Sequence, residues 1–343
     1  KKLIALLLAL LLALPAAAPA LAQEQVYHSL YSGEVTTLNY LTTTSTSEFG
    51  LLSNLIDTLV ESDRFGQRQP CLAESWEPSA DGLTWIFHLR QGVQWVDAQG
   101  NAVAEVTAHD FVTAAEYILN AQHASGSAKT LYKIIVGAKE YYDGTATPKE
   151  GEQPAPRTEW DTVGVKALDD YTLQYTLKNP VAYFLSMVDN QAFMPVYGPF
   201  LTEKGEQFGL ATGNDTLLYC GAYTLTEFRP QETRVLTKNS AYWDLEHVTI
   251  DQIVYRYNKE ASTISADLYL KGEVDSASIS VGETWTMSVP AGGMYDWNLS
   301  SEYIAYGPSM ADKEGVLKQV GYETANGVST ITYEAMMPGT CTG

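Results

Sequence analysis

Side chains able to do chemistry are plentiful in this chain but poorly gathered. Its 343 residues include 41 Asp and Glu, 21 Lys and Arg, five His and three Cys. A metal centre needs His and carboxylates at close spacing, as in H-E-x-x-H, and that motif does not occur. His28, His88, His109, His123 and His247 are spread one to an element. His88 lies on the strand face opposite Trp85 and Phe87, which suits a structural or exposed histidine. His109 falls in a first helical turn beside Asp110, where capping accounts for it. No G-x-S-x-G elbow offers a hydrolase nucleophile, and no Gly-rich phosphate loop of the Walker kind is present. With 41 carboxylates, some must fall close together by chance, so proximity alone is no sign of glycoside hydrolysis. The sequence predicts no catalytic residue, no metal ligand and no cofactor, and hence a protein that is not an enzyme.

Composition narrows the class further. A net charge of −20 repels nucleic acid and anionic lipid alike, and favours solubility. Cys71, Cys220 and Cys341 are odd in number and far apart, with no C-x-x-C spacing. Cys71 and Cys220 sit in apolar surroundings and are expected to be buried thiols. Lys1-Lys2, the apolar run Leu3 to Leu14 and the Ala20-Leu21-Ala22 end read as a secretory leader, 1–22, with cleavage near Ala22. Pro15 and Pro19 interrupt it, which disfavours a membrane-spanning helix, and no cysteine for lipid attachment lies near the cut. A periplasmic or secreted protein is expected. The 22 Tyr suit a site that stacks on a polar solute, but Tyr171, Tyr175, Tyr223, Tyr255 and Tyr257 lie in alternating strands where packing explains them.

The elements that would carry any site are legible in pieces. From Cys71 to Val112 the order reads strand, turn, strand, cap and helix. Leu83, Trp85, Phe87 and Leu89 alternate after the Asp81-Gly82 turn, and Gln99-Gly100-Asn101 turns the chain into Ala102–Val106. Thr107 is an N-cap with Asp110 in capping-box position, opening a helix to about Asn120. Upstream, Val26–Ser32 is a strand, Leu38–Glu48 a polar loop, and Phe49–Val60 carries apolar residues at helical spacing. Downstream, Ser125–Tyr142 reads as a loop and one amphipathic helix, and Gly144–Arg157 as a surface loop. Val163–Leu177 forms a hairpin about Asp169-Asp170. Pro180–Val188 suggests a short helix, and the FMPVY run a strand. A second hairpin, Gly221–Lys238, turns at Arg229-Pro230-Gln231; strand TIDQIVYRY, helix Ala261–Lys271 with Gly272 at C′, and a strand opened by GEVD follow. Residues 281–343 show no countable period.

LAESW, DGLTWIFHLRQGVQW and TAHDFV, in this order and spacing, resemble the signature of the periplasmic oligopeptide- and dipeptide-binding proteins that serve ABC importers. VGVKALDDYTL, PVAYF and the order hairpin, YW, strand, helix, GEVD add to the likeness, which covers about residues 26–280 and stops near Val281. The resemblance implies a mixed α/β fold: a two-lobed periplasmic-binding-protein architecture of the class with an extra domain, its second lobe incomplete. It implies a discontinuous domain I at 23–56 and 164–262, a domain II at 57–163, and the start of a domain III or a divergent tail at 263–343. It places ligand-binding positions at Thr44, Ser45 and Thr46, at Asn190 and Gln191, and at Ser276 and Ser278, where a cross-domain strand would pair with an extended peptide. Tyr40 stands where the family usually has the Pro of an Asp-Pro pair, and Ser127 about where it has a tyrosine. The function implied is the extracytoplasmic solute-binding component of an ABC importer, a monomer that takes peptide in an interlobe cleft, meets membrane permease subunits and binds no nucleic acid. The alternatives are the same scaffold holding an oligosaccharide or metal chelate and, more remotely, a secreted hydrolase.

Overall fold

A computed structural model describes residues 24–63 and 65–277 in full, and beyond them the backbone of Ser278 and of four strands. The chain runs β1 (Val26–Tyr31), α1 (Thr46–Leu52), β2 (Val60–Ser62), β3 (Arg68–Pro70), β4 (Ala73–Pro78), β5 (Thr84–Leu89), β6 (Gln94–Val96) and β7 (Ala102–Glu105). Then come α2 (Ala108–Leu119), α3 (Ala128–Ile134), α4 (Ala138–Thr145), β8 (Val165–Asp169), β9 (Thr172–Thr176) and α5 (Gly198–Lys204). The last fully described elements are β10 (Tyr223–Arg229), β11 (Thr233–Lys238), β12 (Gln252–Tyr257) and α6 (Ala261–Leu270), before β13 (Ser276–Ser278).

Two four-stranded sheets share one apolar core. The first has the order β4-β5-β9-β8 and is antiparallel throughout. Its buried face follows the alternation of β5: Phe87 and Leu89 are buried while His88 between them is half-exposed. Phe87 meets Tyr175 edge-on at 6.0 Å between ring centroids, Tyr175 meets Phe184 at 5.7 Å, and Phe184 meets Phe193 at 5.9 Å. Such rings bury large apolar area in the geometry their quadrupoles prefer. β8 and β9 belong to this sheet with β4 and β5.

The second sheet has the order β1-β12-β11-β10, and β1 runs parallel to β12. On the other side of β1, the Asp275 N–H donates to the His28 carbonyl at 2.8 Å and the Asp275 carboxylate accepts from the His28 N–H at 2.6 Å. The chain therefore leaves β12, crosses by α6 and comes down beyond β1.

Four local expectations change. The helix forecast over Phe49–Val60 is α1, earlier and shorter. Beyond it the Asn54 carbonyl accepts from Tyr223 N–H (3.0 Å) and that of Leu55 from Gly221 N–H (2.9 Å), so tertiary bonds replace helical ones. Leu55, Ile56 and Leu59 are buried all the same. The single helix expected before Tyr142 is two, α3 and α4, broken at Val136-Gly137. Val136 N–H donates to the Thr176 carbonyl at 3.0 Å, and Gly137 has φ +71° with room for no β-carbon, which would lie 2.4 Å from the Thr162 carbonyl oxygen. Pro180–Val188 holds only a one-turn helix at Phe184–Ser186, and FMPVY is buried backbone outside any sheet. Strands also occupy part of the segment past residue 281: 284–290, 317–325 and 328–335 form a three-stranded antiparallel sheet.

The local chemistry of α2 follows the sequence. Thr107 is its N-cap, its N–H donates to the Asp110 carboxylate at 2.9 Å, and Trp95 Nε1 donates to the same group at 3.0 Å. Burial pushes the Asp110 carboxyl up to about 6, against the pull of these two donors. Cys71 and Cys220 are buried free thiols. Asp57 beside them accepts from Trp243 Nε1 at 2.9 Å, and burial likewise lifts its carboxyl to about 6.

Candidate solute-binding site

The connection from β1 to α1 carries the first predicted positions, and a buried carboxylate shapes it. Glu48, 2% exposed, accepts at Oε1 from Thr36 N–H (2.8 Å), Thr36 Oγ1 (2.7 Å) and Thr37 N–H (3.1 Å). At Oε2 it accepts from Thr43 Oγ1. Burial alone would raise its pKa, but these donors outweigh it and hold the carboxyl below the ordinary glutamate value. The knot folds a Thr-rich stretch into a fixed loop whose next residues, Thr44, Ser45 and Thr46, are exposed.

Gln191 is brought against the back of that loop, with Asn190 next to it in the chain. Gln191 Nε2 donates to the Thr43 carbonyl at 2.8 Å and to Ser127 Oγ at 3.2 Å, and its side chain is buried. Asn190 is exposed, and its Oδ1 accepts from Ala192 N–H at 3.1 Å to cap the turn Gln191–Phe193. Ser127, where the family resemblance expects a tyrosine, is thus an interior hydroxyl. Tyr40 is also interior, its hydroxyl donating to the Pro195 carbonyl at 2.9 Å.

Ser276 lies in a second place, in β13 beside β1. Its Oγ is 3.4 Å from Ser29 Oγ. The two border a recess of about 220 Å³ between β1, β13 and the first turns of α6, lined also by Tyr31, Ser32, Ser262 and Ser265. Small residues on α6 let it approach the strands closely enough to leave hydroxyls on nearly every wall. Beside the recess, the Arg234 guanidinium lies 3.8 Å over the Tyr31 ring and pairs with Glu34 at 2.8 Å. The Ser278 side chain lies outside the described residues. The backbone of β13 pairs antiparallel with a strand at 340–342, Ser278 opposite Thr340, so that edge is already hydrogen-bonded within the chain. The chain segment 32–46 runs from this recess to the Thr44–Thr46 loop.

Sequence reasoning missed the recess residues Ser29, Ser32, Ser262 and Ser265, since an isolated serine in a strand or helix carries no spacing signal. It also passed over Glu48 as part of a polar loop. Among the described residues, Asp244, Glu246 and His247 bring potential ligand atoms within 4.8 Å of one another. Glu246 and His247 are exposed and Asp244 is half-buried, and His247 Nδ1 is already 2.5 Å from Asp244 Oδ1. No helix among the described residues is long and apolar enough to cross a membrane.

The family described as bacterial extracellular solute-binding proteins, family 5 (middle), matches residues 67–326. The chain belongs to this family. The match carries the family likeness past Val281, where the motif phrases run out. Among curated relatives, the oligopeptide-binding protein AmiA of Streptococcus pneumoniae is 36% identical over 233 residues, 68% of this chain and 33% of AmiA. The periplasmic oligopeptide-binding protein OppA of Escherichia coli is 32% identical over 235 residues, 68% of this chain and 39% of OppA. The substrate-binding domain of an oligopeptide ABC transporter from Bacillus anthracis superposes with a TM-score of 0.65 at 29% identity, covering 77% of this chain and 49% of the other. The family 5 protein described here thus spans about a third of the curated relatives it matches and half of that solved chain.

Proposed function

We propose that this family 5 protein is the extracytoplasmic binding component of an ABC importer, that its solute is a peptide, and that it works by binding alone. The observation that carries the reading is the hydroxyl-lined recess between β1, β13 and the first turns of α6, a concave place with several polar groups converging on it. Serine hydroxyls both donate and accept, so they suit the alternating N–H and C=O groups of a peptide main chain without selecting its side chains. Because one edge of β13 is paired within the chain, the solute meets hydroxyls of β1 and α6 here rather than adding a strand at that edge. Thr44, Ser45 and Thr46 at the other end of the 32–46 segment, and Asn190, are exposed polar side chains that we assign to the same solute. Support also comes from the peptide-binding names of AmiA and OppA. The leader at 1–22 outside the described residues fits export to the side of the membrane where a permease takes up its cargo.

The test is calorimetric titration of the purified protein with tri-, tetra- and penta-alanine and with tri-lysine, alongside native mass spectrometry of whatever co-purifies. Saturable one-to-one binding of a peptide, lost on Ser29→Leu or Ser276→Leu, is expected. A co-purifying sugar or metal chelate with no peptide binding would reject the peptide assignment and keep the importer scaffold.

A further inference from the structure

Gln191 stands in the stretch expected to face solute, yet the fold turns it inward. Its side chain is 6% exposed, and its amide nitrogen is shared by the Thr43 carbonyl and Ser127 Oγ. The Thr43 carbonyl can only accept, which fixes the amide: nitrogen toward Thr43, oxygen away. Gln191 Oε1 is then buried with no hydrogen-bond partner. A half-satisfied buried amide costs stability that an apolar side chain of similar size would not. The arrangement therefore points to a task other than filling the core.

The surroundings show which task. Ser125 Oγ donates to the Leu41 carbonyl at 2.6 Å, and Gly126 N–H donates to that of Thr42 at 3.0 Å. A β-carbon on Gly126 would come within 2.7 Å of Thr44 Cγ2, so the two loops are in close contact. With Gln191 on the Thr43 carbonyl and Glu48 on the Thr43 hydroxyl, Leu41, Thr42 and Thr43 are each held from behind, and Thr44 follows directly on them. The residues just beyond, Ser45 and Thr46, are exposed.

We propose that Gln191 is a positioning residue for solute binding: acting through the Thr43 carbonyl, it fixes the Thr44–Thr46 loop in its binding conformation without touching the solute itself. This rests on the reading that the loop meets the solute. A loop held in place before binding has less freedom to lose when the solute arrives, and the saving appears as affinity.

Two variants test it. Gln191→Met keeps the volume and removes both donors; Gln191→Glu keeps the shape and sets an acceptor against the Thr43 carbonyl. Hydrogen exchange of segment 41–47, measured with no peptide present, is expected to quicken at least tenfold in both, while exchange in β8 and β9 stays unchanged. Tetra-alanine is expected to bind about tenfold more weakly, on the scale of the hydrogen bonds removed. Unchanged exchange at 41–47 overturns the inference whatever binds. Quickened exchange with unchanged tetra-alanine affinity overturns its link to the solute. If the unmodified protein binds none of the peptides, the peptide reading is what fails, and the exchange measurement still decides whether Gln191 holds the loop. Should Gln191→Met not fold, Gln191→Glu carries both measurements.

Discussion

Two helices of this protein open with the same signature and use it in opposite ways. Ser45-x-x-Glu48 begins α1 and Thr107-x-x-Asp110 begins α2, each with an acid at the third helical position. Asp110 stays local: it takes the Thr107 N–H of its own helix end and one long-range donor, Trp95. Glu48 ignores its helix end, where Ser45 makes no capping bond, and gathers four donors from Thr36, Thr37 and Thr43. Both carboxylates are buried, but four donors hold one below its usual range while two leave the other raised to about 6. Glu48 combines more donors with the milder desolvation and Asp110 fewer donors with the deeper one, and the two differences together set the sign. The lesson concerns function as much as helices, for the acid that organises the candidate site is the one diverted from its helix.

Removing each acid should separate the two roles most strongly. Glu48→Ala leaves the Thr36 and Thr37 N–H groups without their acceptor and is expected to cost about 3–4 kcal/mol. Asp110→Ala loses a cap and orphans one buried indole N–H, and should cost about 2–3 kcal/mol. Urea melts at pH 7 measure both, and equal losses would erase the contrast.

Acidity sharpens it next, because the two groups give slopes of opposite sign. The Asp110 carboxyl is raised in the fold, so its stabilising contribution is complete below the unfolded value near 4 and is lost as pH rises toward about 6. The depressed Glu48 contributes above the ordinary glutamate value near 4.3, and that contribution is lost as pH falls through its lower folded value. Melts from pH 3 to 7 should therefore show Asp110→Asn flattening the decline between pH 4 and 6 by about 2 kcal/mol. Asp57, raised to the same value, keeps part of that slope. Glu48→Gln should flatten only the acid limb below pH 4. Thr43→Val, which removes one of the four donors, should cost about 1–2 kcal/mol and move that limb upward.

Much of the scaffold was legible because local chemistry and tertiary need agreed. The alternation of β5, the Thr107 cap, the Asp169-Asp170 hairpin and the end of α6 at Gly272 all appear where the residues put them. Legibility failed where distant backbone took over. The apolar spacing of Leu55, Ile56 and Leu59 reads as helix, yet the Asn54 and Leu55 carbonyls are claimed by residues 221–223. Ser125–Tyr142 reads as one helix until Val136 bonds to Thr176. The site was the least legible part, since family likeness can point to Thr44 and Gln191 but cannot say which faces water. That depends on Ser127 and Gly126, some 80 residues away in sequence, and on contacts with no sequence period.

The smallest expected effect is the most discriminating. Ser45 occupies the N-cap of α1 but its side chain caps nothing, and the loop ahead of it is fixed by Glu48 and Thr43. Ser45→Ala should then cost under about 0.5 kcal/mol, against the roughly 1 kcal/mol expected of a working serine cap. A loss as large as a true cap would mean that α1 is built like α2 and that the diverted role of Glu48 is overstated. Because Ser45 is exposed beside Thr44 and Thr46, the same variant should weaken tetra-alanine binding while leaving the melt unmoved. A side chain that matters to the solute and not to the fold is what a pre-set binding loop requires, and titration and melt on one preparation measure both.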